Sequence, residues 1–267
     1  MGLLDNISSG KTPKPPIIMI YGQPGVGKST FAAHAPKPFF IDTEDGLNEI
    51  DCQKLLAPEY NRVRDILLAI MDEKHDFQTL VIDSISATER MLFSYICEKF
   101  GVSNILDVKG GFGKGYKEYT NAWQEIFDIL RQIRDTRNMN IILVGHCTEN
   151  TVFSPRIGQY TQYAPRLYER ATDILVESTD AVFFATRRVR VIKEDAGFNK
   201  KTTRTAEIGG DGGERIILTG NSGQDGPYVG KNRYSLPDEL PLDWNAFVQA
   251  WQANYTTTEN NNTAKEN

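Results

Sequence analysis

The segment Gly22-Gln-Pro-Gly25-Val-Gly27-Lys28-Ser29 carries the most legible chemistry of this chain. Its spacing, G-x-x-x-x-G-K-S, is that of a phosphate-binding loop. Glycines let the backbone curl so that several N–H groups point inward at phosphate oxygens. Gly22, Gln23, Pro24, Gly25, Val26 and Gly27 supply that cradle, and Thr30 follows it. Lys28 adds a positive charge for the β- and γ-phosphates, and Ser29 offers a hydroxyl to Mg²⁺. ATP and Mg²⁺ are the expected cofactors. A second metal ligand is expected at Asp83, which closes the apolar run Thr79-Leu-Val-Ile as a Walker B aspartate does. The plainer alternative is a strand-end aspartate capping a turn. Ser84 follows Asp83, so the AAA-type pattern, with a glutamate at that place, fits poorly. A carboxylate that orients the attacking water must then come from elsewhere.

These groups need a scaffold, and the hydrophobic pattern supplies one. The run Ile17-Ile-Met-Ile-Tyr reads as a buried strand leading into the loop, and Phe31-Ala-Ala-His34 continues as a helix whose N-terminus faces the anion. Strands are expected at Pro38–Asp42, Thr79–Asp83 and Asn140–Gly145, with helices over Arg62–Lys74, Thr88–Phe100 and Tyr116–Arg137. In the last of these, Trp123, Ile126, Phe127, Leu130 and Ile133 mark a core face. This βαβ rhythm predicts an α/β fold with a mostly parallel sheet and helices on both faces. After about residue 180 the segments Ala181–Lys193, Thr202–Ile208 and Arg215–Thr219 alternate like strands between Gly-, Asn- and Asp-rich turns, which predicts an antiparallel extension. The expected organisation is a flexible segment over 1–16, in which Leu3, Leu4 and Ile7 offer an oligomerisation contact, a single ATPase domain over 17–253, and a polar disordered tail over 254–267.

Several segments resemble the RecA recombinase family. Phe40-Ile-Asp42-Thr-Glu44 is similar to its strand-then-glutamate motif, which implies that Glu44 activates water. The alternative is a solvated acidic turn. Ile141-Ile-Leu-Val-Gly-His146 resembles the strand that ends in a polar γ-phosphate sensor, with His146 where many members carry glutamine. Val229-Gly-Lys231-Asn-Arg233 resembles the Lys-Asn-Lys segment by which one subunit reaches its neighbour's ATP, implying a trans role for Lys231 and Arg233. A basic surface turn is the other reading. Together with Gly-Phe-Gly-Lys-Gly-Tyr and Lys-Asn-Arg-Tyr-x-Leu-Pro, these motifs over roughly 15–240 resemble phage-encoded RecA-like ATPases that act as recombinases or single-strand annealing proteins. The resemblance implies a RecA-like P-loop core that hydrolyses ATP within a filament or ring of its own copies, on single-stranded DNA.

Two segments have the residue types such DNA needs. Gly110-Gly-Phe112-Gly-Lys114-Gly-Tyr116-Lys117 combines flexible backbone, rings that stack on bases and lysines that meet phosphates. The bland reading is a mobile loop with Phe112 tucked inward. Cys147–Arg166 reads as a long irregular loop bearing Arg156, Tyr160, Tyr163 and Arg166. A third candidate lies over 187–204, where Arg187, Arg188, Arg190, Lys193, Lys200, Lys201 and Arg204 outnumber Glu194 and Asp195.

Composition bounds the rest. A net charge of −5 over 267 residues argues against a uniformly basic nucleic-acid binder. Cys52, Cys97 and Cys147 are dispersed, as reduced thiols of a cytosolic protein are, and the three histidines show no metal spacing. No run approaches a membrane span, and the N-terminus has neither a signal pattern nor a myristoylation pattern. No membrane partner and a cytoplasmic location, host cytoplasm if phage-encoded, are therefore expected. Two readings without DNA compete: a P-loop kinase of a small metabolite, for which no arginine-bearing lid stands out, and a nucleotide-dependent assembly module.

Overall fold

The runs read as buried strands are buried on both faces. In the computed structural model, which describes residues 12–194, 203–208, 213–220 and 225–263, β1 (Ile17–Gly22) has no residue exposed. It is followed by α1 (Lys28–Ala33), β2 (Pro38–Asp42), β3 (Gln53–Leu56), α2 (Tyr60–Asp72), β4 (Thr79–Asp83) and α3 (Ile85–Phe100). Then come α4 (Lys114–Arg137), β5 (Asn140–Ser154), β6 (Gly158–Pro165), α5 (Glu169–Ser178) and β7 (Ala181–Arg187). The remaining elements are β8 (Val189–Glu194), β9 (Thr203–Ile208), β10 (Arg215–Leu218), β11 (Lys231–Asn232), β12 (Glu239–Pro241) and α6 (Trp244–Thr263).

The main sheet runs β12-β10-β7-β1-β5-β4-β2-β3. From β7 to β3 every neighbouring pair is parallel. This is the expected RecA-like P-loop core: β5 is inserted between the phosphate-loop strand β1 and β4, the strand that ends in Asp83. Alternation along β1 sends Ile17, Met19 and Tyr21 to one face and Ile18 and Ile20 to the other. The first face packs on α2, α3, α4 and α5, and the second on α1 and α6. On α4, Trp123, Ile126, Phe127, Leu130 and Ile133 are all at most 2% exposed, so the predicted stripe is core. Burying each such side chain stabilises the fold by about 1.5–3 kcal/mol. Ser84 caps the start of α3 by accepting from Ala87 N at 3.2 Å, and Gly101 ends it in the left-handed conformation.

Three expectations are corrected. Cys147–Arg166 is not irregular: β5 continues to Ser154 and turns at Gly158 (φ 82°), and β6 pairs back along it from Ser154↔Gly158 to Cys147↔Pro165. Neither face of this ribbon lies wholly in the core, so its strands lack the apolar alternation that reveals a half-buried strand. The segment Ala181–Lys193 is not all extension. Its first part, β7, is a parallel core strand beside β1, while β8 pairs with β9 in a separate two-stranded sheet. The antiparallel extension consists of β10, β11 and β12. At the C-terminus α6 is helical to Thr263, past the expected boundary at 253. No Gly or Pro follows Pro241, so nothing in the sequence breaks the helix. Strand β3 and helix α5 were not expected. Residues 1–11, Lys200, Lys201 and 264–267, which carried parts of the N-terminal, basic-hairpin and tail expectations, lie outside the described residues.

Candidate nucleotide site

The loop Gly22–Ser29 leaves β1 at the carboxyl end of the parallel strands, where ligands bind in open α/β sheets. Gly22 is forced by packing: a β-carbon there would stand 2.2 Å from the Ala185 carbonyl oxygen on β7. Gly25 (φ 72°) and Gly27 (φ 109°) hold left-handed backbone that side chains disfavour. Lys28 folds back over the loop, its Nζ donating to the carbonyls of Gly22 and Gln23 at 3.0 Å each, and is 7% exposed. Burial lowers its pKa, against the opposing pull of Asp83. An ammonium resting on two neutral carbonyls in a buried curl fits an anion, whose charge it would meet in their place.

The Ser29 hydroxyl donates to Asp83 Oδ2 at 2.5 Å. Burial raises the Asp83 carboxyl, and the Ser29 hydrogen bond and nearby Lys28 only partly offset this. A desolvated carboxylate beside a hydroxyl suits a hard divalent cation that keeps several waters and takes phosphate oxygens as its other ligands. Among the described residues no group of three or more His, Cys, Asp or Glu side chains forms a self-sufficient metal site.

Glu44 follows β2, the strand paired with β4, with Asp42 opposite Asp83. Asp42 Oδ1 accepts from Glu44 N at 3.2 Å and from Gly46 N at 3.3 Å, which forms the turn. Thr43 N donates to Asp83 O at 2.8 Å, and Thr43 Oγ1 exchanges hydrogen bonds with the Ser84 backbone. The Glu44 carboxylate accepts from Ser84 Oγ at 2.9 Å, His146 Nε2 at 2.8 Å and Arg90 Nη2 at 2.9 Å. Burial alone would raise its pKa, but these hydrogen bonds outweigh it and hold it at about 2. Ser84, which seemed to leave the site without a glutamate, instead anchors one from the adjacent strand. His146 stands opposite Gly22 in the sheet, and its N–H donates to Ser86 Oγ at 3.2 Å. Its Nδ1 is buried with no partner. Lys28, Ser29, Asp83, Glu44 and His146, distant in sequence, thus converge.

Lys231 and Arg233 do not join them. Lys231 pairs with Val182, at the amino end of β7 and away from the loop. Its Nζ donates to Thr179 O at 2.6 Å, to Glu177 O at 3.1 Å and to Val176 O, capping the carbonyl end of α5. Lys231, expected to reach a neighbour's nucleotide, has its amine engaged within its own chain. Arg233 sits at the same end, 3.6 Å from Asp180 and lining a cavity of about 370 Å³ with Lys14 and Arg134.

The candidate DNA residues separate in the same way. Phe112 is 98% exposed, not tucked inward, and Lys114 and Lys117 are exposed beside it. Tyr116 stacks on Tyr168, with ring centroids 4.8 Å apart, so its ring is already engaged. Arg156 lies at the far end of the β5–β6 ribbon, 83% exposed and 3.5 Å from Asp225, with exposed Phe153 and Ile157 nearby. Arg166 lies at the root, its N–H donating to His146 O at 2.8 Å. Sequence reasoning missed Arg90 and Arg215. Arg90 sits one helical turn beyond Ser86, a spacing that becomes informative only once Glu44 is placed. Arg215 Nη1 lies 3.1 Å from where a β-carbon on Gly27 would stand.

A domain model matches this chain over residues 14–234, and its family is described as AAA domain. The chain belongs to this family of P-loop ATPases, although Ser84 occupies the place where the AAA-type pattern carries glutamate. A protein from Bacillus subtilis (strain 168), the SPbeta prophage-derived uncharacterized protein YorG, is 28% identical over 140 residues. That match covers 50% of this chain and 42% of the relative, so the chain spans less than half the length of the relative it matches. A crystal structure of the RadB recombinase overlays with a TM-score of 0.43 at 13% identity, covering 77% of this chain and 81% of that one. Among the described residues no helix is long and apolar enough to cross a membrane.

Proposed function

We propose that the chain is an ATP-dependent recombinase or annealing protein of phage type that binds single-stranded DNA and hydrolyses ATP as an oligomer. Lys28 binds the β- and γ-phosphates. Ser29 and Asp83 would hold Mg²⁺, which would supply charge neutralisation at the phosphoryl oxygens. Glu44 orients the attacking water, and His146 offers one hydrogen bond at the γ-phosphate. Ser84 and His146 share Glu44 Oε2, while Oε1 accepts only from Arg90 and so keeps an acceptor site for the water.

The DNA reading rests chiefly on Phe112. A fully exposed aromatic on a glycine-rich loop, flanked by two exposed lysines, has no packing role. It also sits at the nucleotide end of the sheet, because Tyr116 stacks on Tyr168, just after Arg166. The phage assignment draws on the prophage relative. The trans role narrows to Arg233, which would reach the neighbour's nucleotide if the amino end of one sheet faced the carboxyl end of the next. ATPase assays with and without single-stranded DNA, over a range of protein concentrations, test all of this. Activity per subunit should rise with both. Absence of DNA binding at low salt with ATP would leave a nucleotide-dependent assembly module or a kinase.

A further inference from the structure

Two guanidinium groups flank the phosphate loop from opposite sides. On one side β6 takes up the ladder on β5 where β1 leaves it: Gly22 faces His146, and the next residues of β5, from Cys147, pair with β6. Arg166 follows β6, bonded through its N–H to His146 O. On the other side β10 lies against β7, with Ile217 opposite Ala185, itself opposite Gly22. Arg215 stands two residues further along, at Gly27. Both side chains are exposed, and among the described residues neither has a hydrogen-bond or ion-pair partner. This sets them apart from Arg64, Arg90, Arg131, Arg134, Arg137 and Arg188, all of which are engaged.

We propose that Arg166 and Arg215 clamp the nucleotide polyphosphate within the same subunit, Arg166 at the γ-phosphate and Arg215 on the side of the α-phosphate. The inference rests on the ATPase reading above. The assignment of ends follows from the site. Ser29, Asp83, Glu44 and His146 mark the side where water and metal meet the terminal phosphate, and Arg166 is joined to that side through His146. Arg215 approaches from the β7 side, away from Asp83 and Glu44. Arg166 is also within electrostatic reach of Lys28, so the two cations repel until an anion joins them. Guanidinium is the group for this task, being planar, always charged and able to meet phosphate oxygens with two parallel donors. The β5–β6 ribbon and the antiparallel extension would then be parts of the nucleotide site.

The test is fluorescence titration of the full chain with labelled ADP and with a labelled non-hydrolysable ATP analogue. Arg166→Ala should weaken the analogue roughly tenfold, the loss of one hydrogen bond to a charged group, and leave ADP within about twofold. Arg215→Ala should weaken both nucleotides by a similar factor. Arg166→Lys and Arg215→Lys should recover part of each loss, which also serves if an alanine variant misfolds. Unchanged analogue affinity in Arg166→Ala, with weaker single-stranded DNA binding and a flatter salt dependence, would overturn the clamp and make Arg166 a DNA contact. Unchanged affinity for both nucleotides in Arg215→Ala would overturn its half. If the unaltered protein binds neither nucleotide better than Lys28→Ala does, the ATPase reading itself has failed.

Discussion

Replacing Glu44 by glutamine perturbs stability and turnover by separable amounts. The carboxylate accepts three side-chain hydrogen bonds, from Ser84, His146 and Arg90. An amide oxygen can keep one or two of them, but the amide NH₂ then faces a donor. Holding the carboxyl at about 2 instead of 4.5 corresponds to at most about 3 kcal/mol. The side chain is 30% exposed, and solvent screening reduces that bound to about 1–2 kcal/mol. For a chain of this size the melting temperature should fall by roughly 3–6 °C at pH 7. The sign follows from proton binding. The folded pKa is depressed, so between about 4.5 and 2 the unfolded chain holds the proton that the folded chain lacks. The stabilisation is therefore complete above the unfolded value and fades as pH falls toward 2. The gap between the two proteins should be narrower at pH 3.5 than at pH 5. Calorimetry at these values, with ATPase and nucleotide titrations at pH 7, reads both effects. Glu44→Gln should bind nucleotide and not turn it over. Normal turnover would remove Glu44 as the water-orienting group, and an unchanged melting temperature would refute the energetic reasoning.

Lys231→Ala should lower stability by about 1–2 kcal/mol, because three carbonyls at the end of α5 lose their donor; denaturant melts check this, and nucleotide affinity should not change. Phe112→Ala should weaken single-stranded DNA binding with little change in salt slope or melting temperature, whereas Tyr116→Ala should cost stability through the lost stack on Tyr168. Lys117→Ala should flatten the salt slope by about 0.7, as read by anisotropy over a salt series. Glu89 is buried, which raises its pKa, although the Tyr119 hydroxyl and Tyr168 N–H donate to it. The folded state thus keeps a proton that the unfolded state has lost, so Glu89 costs stability as pH rises through that interval. Glu89→Gln should flatten the fall in stability on the alkaline side of pH 4.5, measured by melts at a series of pH values.

The core was legible because its strands are buried on both faces and the apolar runs stop abruptly. Ile17–Tyr21, Thr79–Ile82 and Ile141–Val144 have almost no polar member, and Gly22, Asp83 and His146 stand where the apolar runs stop. The phosphate loop was legible for the same reason, since its chemistry lies in contiguous residues. The β5–β6 ribbon was hidden because two-sided solvent contact removes alternation. Strand β3, with three of its four residues exposed, lacks the signal too. Arg90 and Arg215 carry no local pattern, since their relevance comes from a turn of α3 and from strand order. Lys231 shows how a sequence likeness and a local contact can diverge. Its neighbourhood in sequence resembles an interface motif, while its amine is consumed by a helix end.

The ribbon has a mechanical consequence. Eight residues on each strand, at about 3.3 Å per residue, make an arm of roughly 26 Å. Its far end carries Phe153 and Ile157, and its root is the His146–Arg166 pair. The segment 225–229 straps β6 between the two: Tyr163 exchanges backbone hydrogen bonds with Pro227 and Val229, Gln162 donates to Gly226 O at 2.9 Å, and Arg156 lies 3.5 Å from Asp225. The arm is a braced beam, and any swing about its root would have to carry that strap along.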